Sequence, residues 1–257
     1  MMRLSRDVWL AGVDGCKGGW LAILVRPVGG NVCIRPVFKN FSDLLEGPDT
    51  PTIIAVDIPI GLPRKSELRG RGPERIVRPL IGERKSSVFR IPSRSAVYAS
   101  VDTAFPDDKE RYVRACKIAR ETSPDQKAFA KQGFYICPKI VEVDQFLRKR
   151  SELIDRIFET HPEVAFWRMK GDRALSYPKR RNNRPYTLGM NERCALLESE
   201  FPRNVINGAP PEGAAKDDLL DALACAAVAR RKFFDKAKSF PDHPETDEHG
   251  LRMAIWA

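Results

Sequence analysis

The chain has 257 residues, 42% hydrophobic and 30% charged, a balance that excludes wholesale disorder and suits one large or two small self-supporting domains. Its longest purely apolar run, Ala222 to Ala229, is far short of the ~20 residues a membrane-crossing helix needs, and the stretch bracketed by Asp7 and Asp14 is too short for a signal peptide. The net charge of +10 points to a polyanionic partner, nucleic acid first.

The first third reads as strands. Val8 to Asp14 is apolar, Gly15 to Gly19 makes a turn, and Trp20 to Val25 forms a second strand. Gly29-Gly30-Asn31 is a hairpin signal that leads into a third strand over Val32 to Phe38. Phe41 to Leu45 suits a short helix capped by Asn40 or Ser42. Thr52 to Ile58 is almost continuously apolar, as expected of a strand buried on both faces. Three antiparallel strands, then a helix and a buried strand, predict an α/β fold with a mixed sheet and helices on both faces.

Residues 64 to 94 follow, rich in Pro, Gly and Arg, with ten basic and three acidic side chains. Helical patterns run over about 106 to 121 and 138 to 150, and Pro138 suits the first turn of the second. Together these make a basic, helical insertion at about 60 to 150 within a single domain. Leu153 to His161 reads as a fifth strand, stopped by Pro162. A second basic segment, residues 168 to 184, holds seven basic side chains and one acidic. Either segment suits a nucleic-acid backbone, and either suits a solvated loop. A helix near 189 to 200 precedes a strong one from Asp217 to about Phe234. Its Leu220, Leu223, Ala224, Ala227 and Val228 form an amphipathic stripe. Residues 237 to 250 are polar, and Leu251 to Trp256 suits a terminal strand. The six cysteines, at 16, 33, 116, 137, 194 and 225, have no C-x-x-C or zinc spacing. Reduced thiols in the cytoplasm are the expectation.

Three places put carboxylates where a core would not want them. Asp14 ends the first strand and Asp57 the fourth. If those strands are parallel neighbours, the two side chains lie together at the carboxyl edge, where α/β sheets build sites. Asp217, Asp218 and Asp221 open the long helix, and i, i+3 and i+4 spacing sets Asp221 beside the others. Asp14 before Gly15 also suits a plain turn, Asp57 can cap its loop, and Asp217 is a natural N-cap. Asp221, one turn inside the helix, has no such explanation. Converging carboxylates need a cation, and oxygen-only donors favour Mg²⁺ or Mn²⁺.

Strand order, the positions of Asp14 and Asp57, and the D-x-x-D-A-L-A run from Asp218 to Ala224 resemble the RNase H-like superfamily. The closing helix is most similar to that of RuvC-type Holliday-junction resolvases. More narrowly, the chain resembles domain of unknown function 429, a family described as predicted RNase H-like nucleases. The matching motifs are VDGCKGGW at 13–20, VDIPIGLP at 56–63, SSVFRIPSR at 86–94, KIVEVD at 139–144, ETHPEVAF at 159–166 and KDDLLDALA at 216–224. The resemblance implies the fold and a metal-dependent nuclease chemistry, without implying a substrate. Asp57 stands where the resolvases use glutamate, which shortens the reach and keeps the charge.

In ETHPE, strand alternation sends Glu159 and His161 to one face and Thr160 to the other. His161 then ends near Asp57, placed either to protonate a leaving oxygen or merely to tie the strand into the next helix, with Glu163 as partner. Glu142 and Asp144 read as residues on the solvated face of a helix.

The leading expectation is phosphodiester hydrolysis by two divalent ions. Asp14 would bridge them, Asp57 would hold one, and Asp218 with Asp221 the other. Lys17, Arg84, Lys85, Arg90 and Arg94 would hold the nucleic-acid backbone. Two alternatives belong to other classes. One is a nucleic-acid-binding protein with an inactive site; the other is a phosphotransferase of the sugar-kinase and actin type, which normally carries two copies of this fold.

Overall fold

The computed structural model describes residues 8–257 apart from 129 and 183, so Asp7 lies outside the described residues. Five strands form one mixed sheet: β1 (Leu10–Cys16), β2 (Gly19–Val25), β3 (Val32–Ile34), β4 (Ile53–Val56) and β5 (Ile157–Glu159). Their order is β3-β2-β1-β4-β5. The first three are antiparallel, and β4 and β5 run parallel to β1, as the sequence leads one to expect.

Three expected strands are shorter than their apolar runs, the fourth by its ends alone, as Ile53–Val56. The third stops at Ile34 because Pro36 has no N–H to donate, and only Phe38 rejoins β2, through a bridge to Trp20. The fifth loses its first residues to a helical turn at Ser151–Leu153, which buries Leu153.

Between β4 and β5 the chain makes four helices: α1 (Gly72–Leu80), α2 (Arg94–Ala99), α3 (Asp108–Glu121) and α4 (Lys131–Lys149). The first two were not evident from the sequence. α4 begins seven residues before Pro138, which sits inside it rather than in its first turn. The helix accepts this interruption because Phe134, Cys137, Ile140 and Val141 are all buried along it. After β5 come α5 (Pro162–Met169), a small hairpin of β6 (Arg180–Arg181) and β7 (Arg184–Pro185), α6 (Thr187–Leu197), α7 (Arg203–Ile206) and α8 (Lys216–Phe233). The polar stretch after α8 pairs with the terminal strand, as β8 (Ser239–Thr246) and β9 (Arg252–Trp256).

The two sheet faces have separate cores. Ala11, Val13, Ile54 and Val56 pack with Ile140, Val143 and Leu147 of α4. Leu10, Leu21, Ile23, Ala55 and Phe158 pack with α8. From Leu219 to Ala229 every residue of α8 is buried, more than a single stripe, because the sheet lies on one side and α5 and α6 on another. Gly12 explains how closely α8 approaches. A methyl group there would stand 2.0 Å from the backbone N of Ala226 and 2.2 Å from Ala222 O. Gly12, Ala222 and Ala226 thus bring strand and helix into backbone contact, and that contact sets Asp221 over the sheet edge.

Candidate functional site

Register fixes the first two carboxylates. Val13 pairs with Val56, and the Asp57 N–H continues the ladder to Val13 O at 2.9 Å. Alternation puts Leu10, Gly12 and Asp14 on the α8 face of β1, and Ala55 and Asp57 on the same face of β4. Asp14 and Asp57 are therefore neighbours at the carboxyl edge. Asp221 completes the group from α8, and all three line one cavity of about 320 Å³.

Mutual charge marks the cluster. Burial raises the Asp14 carboxyl well above its ordinary value, and Asp57, Asp221 and Asp218 push it further. Burial raises Asp57 too, with His161 and Lys179 opposing. Asp221 is pushed up to about 6 by burial, against the nearby Lys179 ammonium and with added repulsion from Asp57. Its Oδ1 is buried without a hydrogen-bond partner.

Lys179 is a site residue that sequence reasoning did not single out. It belongs to the second basic segment, yet its Nζ donates to Asp221 Oδ2 and lies 3.8 Å from Asp217. The surrounding carboxylates outweigh its burial and raise its pKa, so it is a fixed ammonium among acids. Arg180 next to it holds Asp217 at 2.8 Å. Gly189 makes room for this approach, since a methyl group there would meet Pro178 O at 1.9 Å. Lys139 is a second cation on the cavity wall, donating to Gly19 O at 2.6 Å.

Asp217 and Asp218 are less central than their spacing suggests. Burial works against ionisation of Asp217, but Arg180 and Lys179 keep its pKa low. Asp218 Oδ2 accepts from Ala215 N at 2.8 Å and so caps α8 from its third position. It does not line the cavity, though its charge is felt at Asp14.

His161 reaches the cavity beside Asp57, with both ring nitrogens engaged. Nδ1 accepts from Glu163 N, and Nε2 lies against Ser87 O, each at 3.2 Å. That pattern is an N-cap on α5 tied to a loop. Glu163 turns its side chain to the buried Arg193 instead, and its Oε2 has no partner. Glu159 belongs to a separate network, bonded to Arg71 at 2.8 Å and to Ile60 N at 2.8 Å.

The expected backbone-binding set divides. Lys17 and Lys85 are exposed and Arg84 is half-buried. Arg90 is held bidentate by Asp125 at 2.5 and 2.6 Å. Arg94 is buried against Asp144 at 2.5 Å and Asp247 at 2.6 Å. Those two arginines hold the fold together and are withdrawn from the nucleic-acid set. Asp144 is likewise buried and Glu142 half-buried, neither on a fully solvated face. Asp144 is buried under Arg94 and Tyr98, and Glu142 accepts from Trp20 Nε1 at 3.0 Å and Phe41 N at 2.5 Å.

The profile of a family described as protein of unknown function (DUF429) matches residues 12–246. The chain belongs to that family. Neither the curated proteins nor the solved structures contain a match to it.

The donor chemistry of the site suits a hard divalent ion. Asp14, Asp57 and Asp221 offer only carboxylate oxygens, one of them orphaned, and repel one another in the absence of a cation. Among the described residues no three His, Cys, Asp or Glu side chains already stand as a metal-ligating cluster. Lys179 supplies the positive charge here. No helix among the described residues is long and apolar enough to cross a membrane, and the six cysteines are unpaired.

Proposed function

We propose that the chain is a metal-dependent phosphodiesterase of the RNase H-like kind that acts on nucleic acid. The observation that carries the reading is the convergence of Asp14, Asp57 and Asp221 on one cavity, from two adjacent parallel strands and the helix packed against them. Asp14, Asp57 and Asp221 would hold Mg²⁺ or Mn²⁺, with Asp218 beside them at the helix start. Bound there, such ions supply an activated water and neutralise charge on the phosphate. The protein's own part is positional. The Gly12 contact fixes Asp221 against the strand edge, and Lys179 opposes the rise that burial imposes on the acids. Lys139 adds a second cation to the cavity lining. His161 secures the start of α5 and the Ser87 loop beside Asp57. Exposed Arg181 and Arg184 on the β6–β7 hairpin, with Lys17 and Lys85, supply sites for backbone phosphates.

Labelled DNA and RNA, single-stranded, duplex and branched, incubated with Mg²⁺ or Mn²⁺, test the reading, with Asp14→Asn as control. Cleavage by the parent alone is the expected result. The Lys179–Asp221 pair favours one second reading, a nucleic-acid-binding protein whose site is closed by its own lysine. Binding that persists in chelator, with no cleavage of any substrate, would establish that alternative.

A further inference from the structure

Asp14, Asp57 and Asp221 share their cavity with apolar side chains. Ile58 and Pro59, which follow Asp57, form an apolar part of the wall with Val88, Phe89, Ile91 and Ile136, beside Arg71, Glu74 and Glu159. All six come from the segment between β4 and β5, four of them from the stretch that starts with the loop after α1 and ends in α4. That segment roofs the carboxyl edge, which in an open α/β sheet would face solvent.

Size and polarity narrow what can enter. A volume of about 320 Å³ is a cube about 7 Å on a side. A base still in its pair is wider than such a space, so a base that enters it has left its partner. An unstacked base is flat and largely apolar on its faces, and it binds well against aromatic and aliphatic side chains. The acidic side chains have matching demands. Asp221 Oδ1 and Glu163 Oε2 are buried without partners, on residues only 3% and 6% exposed. Unpaired acceptors leave the carboxylate group with uncompensated negative charge, which a cation accompanying a phosphate would offset.

We propose that the site takes a single unpaired nucleotide drawn out of its stack, its base against Phe89, Val88, Ile91 and Ile136 and its phosphate at the carboxylates. The inference rests on the phosphodiesterase reading above. In the hydrolysis, water oxygen bonds to phosphorus and the bond from phosphorus to the leaving ribose oxygen breaks. One water proton goes to that leaving oxygen, and the other is released as the new phosphate monoester ionises.

The test compares, with Mn²⁺, a single-stranded oligonucleotide and the same sequence in a covalently closed, fully paired duplex circle. The single strand should be cut at least about 100-fold faster. Ile136→Trp, which fills the cavity, should abolish that cleavage while leaving thermal midpoint and Mn²⁺ affinity by electron paramagnetic resonance as in the parent. Phe89→Ala covers the case in which Ile136→Trp does not fold. Removing that stacking face should raise KM for the single strand by roughly 5–150-fold, the worth of one base–aromatic contact. Equal rates on the closed duplex, or unaltered cleavage by both variants, would overturn the single-nucleotide inference and leave the phosphodiesterase reading standing. No cleavage of either substrate would overturn that reading, and this inference with it.

Discussion

Two buried ionic clusters border the same cavity, and they are built on opposite principles. In the first, Arg71 donates to Glu159 Oε1, Glu74 Oε1, Ile60 O and Gly61 O at 2.7–2.9 Å. The remaining oxygens of Glu74 and Glu159 accept from Arg71 N and Ile60 N. Every carboxylate oxygen has a partner, as a structural network requires. In the second, Asp14, Asp57 and Asp221 share Lys179, and one oxygen of Asp221 has nothing to accept. Burial alone does not mark a functional site, since Glu159 is as deeply buried as Asp221 and is pushed up to about 7. Unsatisfied negative charge separates the two.

The largest expected effect follows from that surplus. Asp14→Asn and Asp221→Asn should each lower metal-dependent turnover by at least about 10³-fold, because the ions stabilise several kcal/mol of transition-state charge. Circular dichroism should show both variants folded. Unchanged turnover in both would remove the site assignment.

The closed cluster should respond in the other direction. Arg71→Met leaves two buried carboxylates without their cation, at a cost of about 3–5 kcal/mol. The thermal midpoint should fall by roughly 6–20 °C, at 2–4 °C for each kcal/mol in a chain of this size. Adding Glu74→Gln and Glu159→Gln should restore most of it. A midpoint within a degree of the parent for Arg71→Met would show that the network contributes nothing to stability.

How much of this was legible in the sequence depends on how far apart the partners lie. Asp14 and Asp57 could be placed side by side because apolar alternation and one parallel pairing decide it. Asp221 was legible from helical spacing alone. Arg94 could not be read, because it pairs with Asp144 and with Asp247, 153 residues away. Glu142 likewise serves Trp20 and Phe41 across more than 100 residues. β6 and β7 are two residues each and arginine-rich, so no periodicity announces them. Lys179 was visible as charge in the second basic segment, but nothing local says that this lysine turns inward while Arg181 and Arg184 stay exposed.

A smaller effect follows from the raised carboxyl of Asp14. Below the ordinary carboxylate range, both folded and unfolded chains are protonated there, and no penalty exists. As pH rises, the unfolded chain releases the proton first, while the folded chain retains it or pays repulsion from Asp57 and Asp221. In chelator, Asp14→Asn should therefore be more stable than the parent at pH 7, by a few degrees, with the gain fading toward pH 4. Thermal midpoints of both proteins across that range check it. A difference independent of pH would mean that Asp14 is not held above its ordinary value.

The smallest expected effect concerns His161, which lines the same cavity without belonging to either cluster. Its Nδ1 caps α5 through Glu163 N, and its Nε2 meets Ser87 O. With Nδ1 accepting, the proton sits on Nε2 and is donated to Ser87 O, so neither nitrogen is free for substrate. Asparagine is a good N-cap and retains the first bond, but it is too short for the second. His161→Asn should thus cost about 1 kcal/mol, the net worth of one hydrogen bond, or a fall of roughly 2–4 °C in midpoint. Single-turnover rate per folded molecule should remain within a few-fold of the parent. Proton transfer by His161 would give the reverse pattern, an unchanged midpoint with a rate lowered by roughly 10²–10⁴-fold. Measuring both quantities on one preparation decides whether the histidine tethers the Ser87 loop beside Asp57 or exchanges that tether for a substrate oxygen.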